Sequence, residues 1–224
     1  MVPPGQQGRA PLCPVDAVAV VRYPLRYNRT STMPTVFLDV DSQLDFLFPA
    51  GALYVPGAER VLPNIARLNR HAAAHGIPVI STVDAHAEND REFKVWPHHC
   101  VAGTHGQRKA EATLVDRRVV IPNRECPLDL AGIQQIIIEK QNVDVFTAPN
   151  LAHALDLLSA DRCIVYGVVT EICVLHAARG LFKSGRKVVV VTDAIETLNP
   201  ADSQTALDEI VGAGGTLART ADLC

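Results

Sequence analysis

Short apolar runs rich in Val and Ile recur along the chain, separated by stretches in which apolar residues return every three or four positions. The runs are "TVFLDV" from Thr35, "IPVISTVD" from Ile77, "RVVIPN" from Arg118, "QQIIIEK" from Gln134, "RCIVYG" from Arg162 and "KVVVVTDA" from Lys187. Their length and β-branched content predict buried strands. "ERVLPNIARLNRHAAAHG", from Glu59 to Gly76, carries a helical period and stops at a glycine. Further helices are expected at about 149–160, 173–184 and 201–212, and "GTLAR" reads as a last short strand.

Short β-branched runs alternating with helices predict a parallel sheet covered on both faces. The expectation is a single-domain, three-layer α/β/α fold with at least five parallel strands, spanning residues 33–224. No internal repeat and no linker interrupts that span. Residues 1–32 are rich in Pro, Gly and Arg. They read as a poorly ordered extension, with a short strand at about 17–21. One long irregular stretch, about 85–107, holds four of the eight histidines and the single Trp. Long loops in compact domains are usually functional or disordered, and Trp96 argues against disorder here.

Composition narrows the function. The chain has 224 residues, 48% hydrophobic and 20% charged, with a net charge of −3. It is long enough to bury a sizeable core. No basic stripe is present, which tells against a nucleic-acid partner. No apolar stretch reaches a membrane span, and Asp16 interrupts the short apolar run near the start that a secretory signal would need. Six irregularly spaced cysteines without a Cys-x-x-Cys pair favour reduced thiols and a cytoplasmic location over a disulfide framework.

In parallel sheets of this kind, ligands gather beyond the carboxyl ends of the strands. The reactive residues at such positions are Asp41, Asp84 with His86, Lys140, and the turn leading to Cys173. In the first turn of a helix, Cys173 would have free backbone N–H groups to stabilise a thiolate or receive an oxyanion. A carboxylate such as Asp41 can take a thiol proton and return it to a leaving amine. Asp39 and Asp45 compete for that role, and Asp39 shares a strand face with Asp41 by alternation. Lys140 can hold a neighbouring carboxylate ionised. Asp84 and His86 form D-x-H, with His98 and His99 across the loop, which suits a divalent ion. Each residue alone also has a plainer reading: a buried structural thiol, a turn cap, a surface lysine, polar loop groups capping one another.

Together the segments resemble the isochorismatase-like cysteine hydrolases, and within them the nicotinamidases. "VDSQLDF" is similar to the family's V-D-x-Q-x-D-F, a register that selects Asp41 as acid/base over Asp39. "GVVTEICV" is similar to G-V-x-T-x-x-C-V and places the nucleophile at Cys173. Lys140 matches the family lysine between them. The resemblance implies an isochorismatase-like, Rossmann-like fold and an Asp41–Lys140–Cys173 triad. It also implies an oxyanion hole from the N–H groups of Val169 and Cys173, and a cis Val168–Val169 bond.

"TVDAHAENDREFKVWPHHCV" resembles the nicotinamidase metal segment. It implies a site made by Asp84, His86, Glu92 and His99, with Asp90 as an alternative to Glu92, holding one divalent ion: zinc first, iron or manganese otherwise. Phe46 and Trp96 match the aromatic walls around a pyridine ring, and Phe146 stands where relatives often have Tyr. The implied activity is nicotinamide hydrolysis in NAD salvage. Another amide or carbamoyl hydrolase with the same triad, or a non-catalytic protein of that fold, is the alternative. The partner is a small amide, and a homo-oligomer is left open.

Overall fold

The computed structural model describes residues 33–224; the 1–32 extension and the strand expected at 17–21 lie outside them. The chain forms one seven-stranded sheet, every neighbouring pair parallel, in the order β3-β4-β2-β1-β5-β6-β7. The strands are β1 Thr35–Val40, β2 Val79–Asp84, β3 Arg118–Ile121, β4 Gln135–Lys140, β5 Arg162–Val168, β6 Lys187–Glu196 and β7 Thr216–Ala218. All six apolar runs and the final "GTLAR" became strands. The helices are α1 Leu44–Leu47, α2 Leu62–Ala74, α3 Leu151–Leu157, α4 Leu175–Lys183 and α5 Pro200–Gly212.

Strand alternation divides the core into two layers. Val36, Leu38 and Val40 of β1 point into a cluster with Leu151 and Leu155 of α3, Ala177 and Leu181 of α4, and Ile210 of α5. Phe37, between them, packs with Ile65, Leu68 and Ala72 of α2 on the opposite face. That is the three-layer arrangement expected of a parallel sheet whose strands are apolar on both faces. A third cluster, containing Phe46, Leu47, Val55, Cys100, Val168 and Val169, caps the carboxyl end of the sheet.

The chain runs from β1 outward to β2, β3 and β4, then returns across the sheet to β5 on the other side of β1. Such a reversal opens a crevice at the strands' carboxyl ends. β5 approaches β1 so closely there that a Cβ on Gly167 would lie 2.0 Å from the Val40 carbonyl oxygen, and its φ of +120° is one that L side chains rarely adopt. The Val168–Val169 peptide that follows is cis, as the resemblance implied.

Among the described residues, no helix is long and apolar enough to cross a membrane. Cys100, Cys163, Cys173 and Cys224 are free thiols.

Candidate active site

Four strand ends deliver the reactive groups. Asp41 follows β1, Asp84 ends β2, Lys140 ends β4, and Cys173 lies beyond β5. Lys140 is the hub. Its Nζ sits 2.9 Å from Asp41 Oδ2 and 2.5 Å from Asp84 Oδ1, and 3.9 Å from Cys173 Sγ. Asp41 Oδ1 accepts a hydrogen bond from the Thr82 hydroxyl at 2.6 Å. All of Asp41, Asp84 and Lys140 are buried. Burial pushes the Asp41 carboxyl above its ordinary range, against the opposing pull of the Lys140 charge. Lys140 is buried too, but the carboxylates beside it outweigh that and hold its ammonium protonated well above the usual lysine range.

Strand alternation would have sent Asp39 and Asp41 to one face, and the structure separates them. β1 ends at Val40, and Asp41 takes a left-handed backbone conformation with φ +50°. Few non-glycine residues adopt it, and where they do it often marks a functional turn. Asp41 thereby swings toward Lys140. Asp39 stays on the α2 face in a buried ion pair with Lys109 at 2.6 Å, with further hydrogen bonds from Ser42 and Asn69. Asp45, the other competitor, ties down the long loop: its carboxylate accepts from the backbone N–H groups of Ala52 and Cys100. Gln43, which sequence reasoning did not single out, exchanges hydrogen bonds with the Asp84 backbone in both directions, at 2.7 and 2.9 Å.

Cys173 is not in the first turn of a regular helix. It lies in a wider turn, Thr170–Val174, closed by a Val174 N–H to Val169 C=O bond of 3.0 Å and followed by α4. Such i→i+5 turns occur often at functional sites. The surroundings of the sulfur work against the expected thiolate stabilisation. Burial raises the Cys173 thiol well above 9.0, with Asp41 and Asp84 adding to it and Lys140 opposing. The resting group is therefore a thiol with a base beside it.

Asp84, His86 and His99 converge, each offering a donor atom within 4.8 Å of the others. Asp84 Oδ2 is 3.8 Å from His86 Nε2 and 3.9 Å from His99 Nε2. Two donors on one ion with bonds of about 2.0–2.2 Å can stand up to about 4 Å apart, so the spacing fits a shared divalent ion. His86 Nε2 is buried with no hydrogen-bond partner, as a ligand nitrogen would be. The far nitrogen of His99 is engaged, and that of His86 has a carboxylate nearby without a hydrogen bond to it. His99 Nδ1 is 2.7 Å from the Pro97 carbonyl, and His86 Nδ1 is 3.1 Å from Asp90 Oδ2. The His99 contact is the outer-shell bracing metal histidines use. Of the two candidate acids, Asp90 lies beside His86, while Glu92 lines the cleft with Asp84 and His99. Glu92 is outside the converging trio. His98 turns away and stacks on Phe93, with ring centroids 4.2 Å apart.

Cys173 opens into a narrow cleft whose walls are mostly apolar. Phe46 and Trp96 line it as expected, and Leu53, Val55, Val143, Ile172 and Leu198 join them. Phe146 does not. It packs over Gly180 of α4, where a Cβ would meet its ring at 2.0 Å, and lines a separate surface groove. Val143, three residues earlier, takes the wall position. An apolar loop residue three places off carries no sequence signal, so neither it nor Leu198 was foreseeable. None of the lining residues is Lys or Arg.

A family model described as "Isochorismatase domain" matches residues 35–222. The chain belongs to the isochorismatase family. Within that family it is 25% identical over 222 residues to a nicotinamidase of Acinetobacter baylyi, covering 85% of this chain and 94% of the relative. It is 25% identical over 168 residues to N-carbamoylsarcosine amidase of an Arthrobacter species, covering 72% of this chain and 59% of the longer relative. The fold matches the pyrazinamidase of Pyrococcus horikoshii, crystallised in complex with zinc, with a TM-score of 0.70 and 28% identity over 83% of this chain and 99% of that one. The chain is an isochorismatase-family hydrolase with amidohydrolases for relatives.

Proposed function

We propose that the chain is a metal-dependent nicotinamidase, hydrolysing nicotinamide to nicotinate and ammonia through a thioester on Cys173. The observation that carries this reading is the cleft. The triad opens into apolar and aromatic walls, with donor groups for a cation at one end and no Lys or Arg among the lining residues. A flat, uncharged aromatic amide is matched by such a site. A substrate bearing its own carboxylate, such as N-carbamoylsarcosine, would find no Lys or Arg among the lining residues to recognise that charge, and a charge buried without a dedicated partner is costly.

Asp41, kept ionised by Lys140, takes the thiol proton as Sγ attacks the amide carbonyl carbon. The carbonyl oxygen becomes an oxyanion held by the N–H groups of Val169 and Cys173, donors of a kind worth about 2.7–4 kcal/mol each to a transition state. Asp41, its pKa raised toward that of a useful acid, gives the proton to the departing nitrogen, and ammonia leaves. The Cys173 thioester remains. Asp41 then takes a proton from water as the water oxygen attacks the thioester. Collapse releases the carboxylic acid and expels the sulfur, which takes the proton back from Asp41 and regains its thiol form. Asp84, His86 and His99 would hold a divalent ion, with Glu92 beside them. When bound, the ion would supply a Lewis-acidic seat for a ring nitrogen and water, orienting the amide toward Cys173.

Ammonia release from nicotinamide, pyrazinamide and N-carbamoylsarcosine, measured side by side, tests the reading. Preference for the aromatic amides supports it. Preference for N-carbamoylsarcosine would replace it with the carbamoyl-hydrolase alternative.

A further inference from the structure

The turn that carries the nucleophile is bonded to a second loop that reaches over the same cleft. Glu171 lies two residues before Cys173. Its Oε1 accepts hydrogen bonds from the backbone N–H groups of Leu198 and Asn199, both at 2.9 Å, and its Oε2 accepts from the Thr197 hydroxyl at 2.6 Å. One residue earlier, the Thr170 hydroxyl donates to the Glu196 carbonyl at 2.9 Å. The clamped segment ends at Asn199, whose side chain caps α5 by accepting from the Ala201 N–H at 2.9 Å. Between these anchors, Leu198 is held at the cleft, lining it with Cys173, Trp96 and Phe46 while remaining 42% exposed.

An exposed leucine gains little by burial, yet three hydrogen bonds to one carboxylate fix the short segment that carries it. An apolar side chain held at a cavity mouth limits how much of a ligand the cavity accepts. We propose that Leu198 is a specificity-determining residue, a roof over the outer end of the cleft that restricts the enzyme to small, unsubstituted ring amides, and that Glu171 is the positioning residue that holds it there. The substrate class rests on the reading of the cleft as a site for uncharged aromatic amides. The position of the roof relative to Cys173 does not.

Alkylation of Cys173 separates the two. Iodoacetamide and a bulky N-aryl iodoacetamide are reacted with wild type, Leu198→Ala, Glu171→Ala and Glu171→Gln. Modification is followed on the Cys173 peptide by mass spectrometry, so that Cys224 and the other thiols do not count. A missing methylene or two in an apolar pocket shifts discrimination by roughly 10–200-fold. Leu198→Ala should therefore raise the bulky-to-small rate ratio by about tenfold or more. Glu171→Ala should raise it in the same direction, whereas Glu171→Gln, which keeps an oxygen acceptor for the two N–H groups, should stay closer to wild type. A ratio that stays within about twofold of wild type in Leu198→Ala overturns the roof, and equal ratios in Glu171→Ala and wild type overturn the clamp. This readout needs no turnover. In parallel, kcat/KM for nicotinamide and for ring-alkylated nicotinamides should converge in Leu198→Ala. Absence of nicotinamide turnover in wild type, with the alkylation ratios as expected, would sink the substrate assignment and leave the roof standing.

Discussion

Lys140 Nζ lies 2.9 Å from Asp41 Oδ2, with both groups buried at the carboxyl ends of neighbouring parts of one sheet. Desolvating a carboxylate raises its pKa and an adjacent ammonium lowers it. The pair therefore keeps Asp41 ionised yet basic enough to take a proton from a thiol 3.9 Å from the same ammonium.

Groups that act as one unit lose function together. Asp41→Asn should cost at least about a thousandfold in kcat, Lys140→Met a comparable amount, and the double variant little more than the worse single one. Steady-state kinetics on the three variants checks this. Multiplicative losses would mean that Lys140 and Asp41 act independently.

The pH profile should follow from the same pair. Asp41 must be ionised to act, and its pKa is raised above 3.8. Activity should thus fall as pH drops through a value higher than an ordinary carboxylate's. Removing the Lys140 charge removes the influence that opposes the rise, so residual kcat/KM in Lys140→Met should show its acid limb at higher pH than wild type. A limb displaced to lower pH would contradict the arrangement.

The core and the strands were legible because buried parallel strands are written as Val- and Ile-rich runs, a signal that tertiary context seldom reverses. The triad was legible because its members stand at strand ends. What alternation could not decide was Asp39 against Asp41. Their separation depends on Asp41 leaving the strand in a left-handed conformation, which sets it beside Lys140, and the resemblance was what had selected Asp41. Phe146 and the thiolate were misread for related reasons. A loop's path and a pocket's dielectric are set by contacts distant in sequence: Phe146 follows α4 through Gly180, and Cys173 shares its pocket with two carboxylates.

Asp39 and Lys109 form a buried pair that the chemistry does not use. Lys109→Met would strand the Asp39 carboxylate beneath the Asp41 turn, and leaving one charge of a buried pair typically costs about 3–5 kcal/mol. Replacing both, as Asp39→Asn with Lys109→Met, should recover part of that loss. Urea denaturation monitored by circular dichroism measures it. A cost below about 1 kcal/mol for Lys109→Met would show that the pair is solvated in solution.

The Asp84–His86–His99 trio predicts one divalent ion per chain. His86→Ala should lower the metal content of purified protein and raise KM for pyridine amides. The rate of Cys173 alkylation by iodoacetamide should change much less, because the base beside the thiol is Asp41. A chelator should suppress turnover while the far-ultraviolet circular dichroism stays, since the sheet's core does not include this loop. Metal analysis showing full occupancy in His86→Ala would remove that residue from the site.

The central claim is covalent amide hydrolysis by Cys173, and the most direct measurement is ammonia release from nicotinamide by wild type and Cys173→Ala under identical metal loading. The account predicts steady release by the wild type and a loss of at least about a thousandfold in the variant, with the fold retained. No release by metal-loaded wild type, or substantial release by Cys173→Ala, would contradict it.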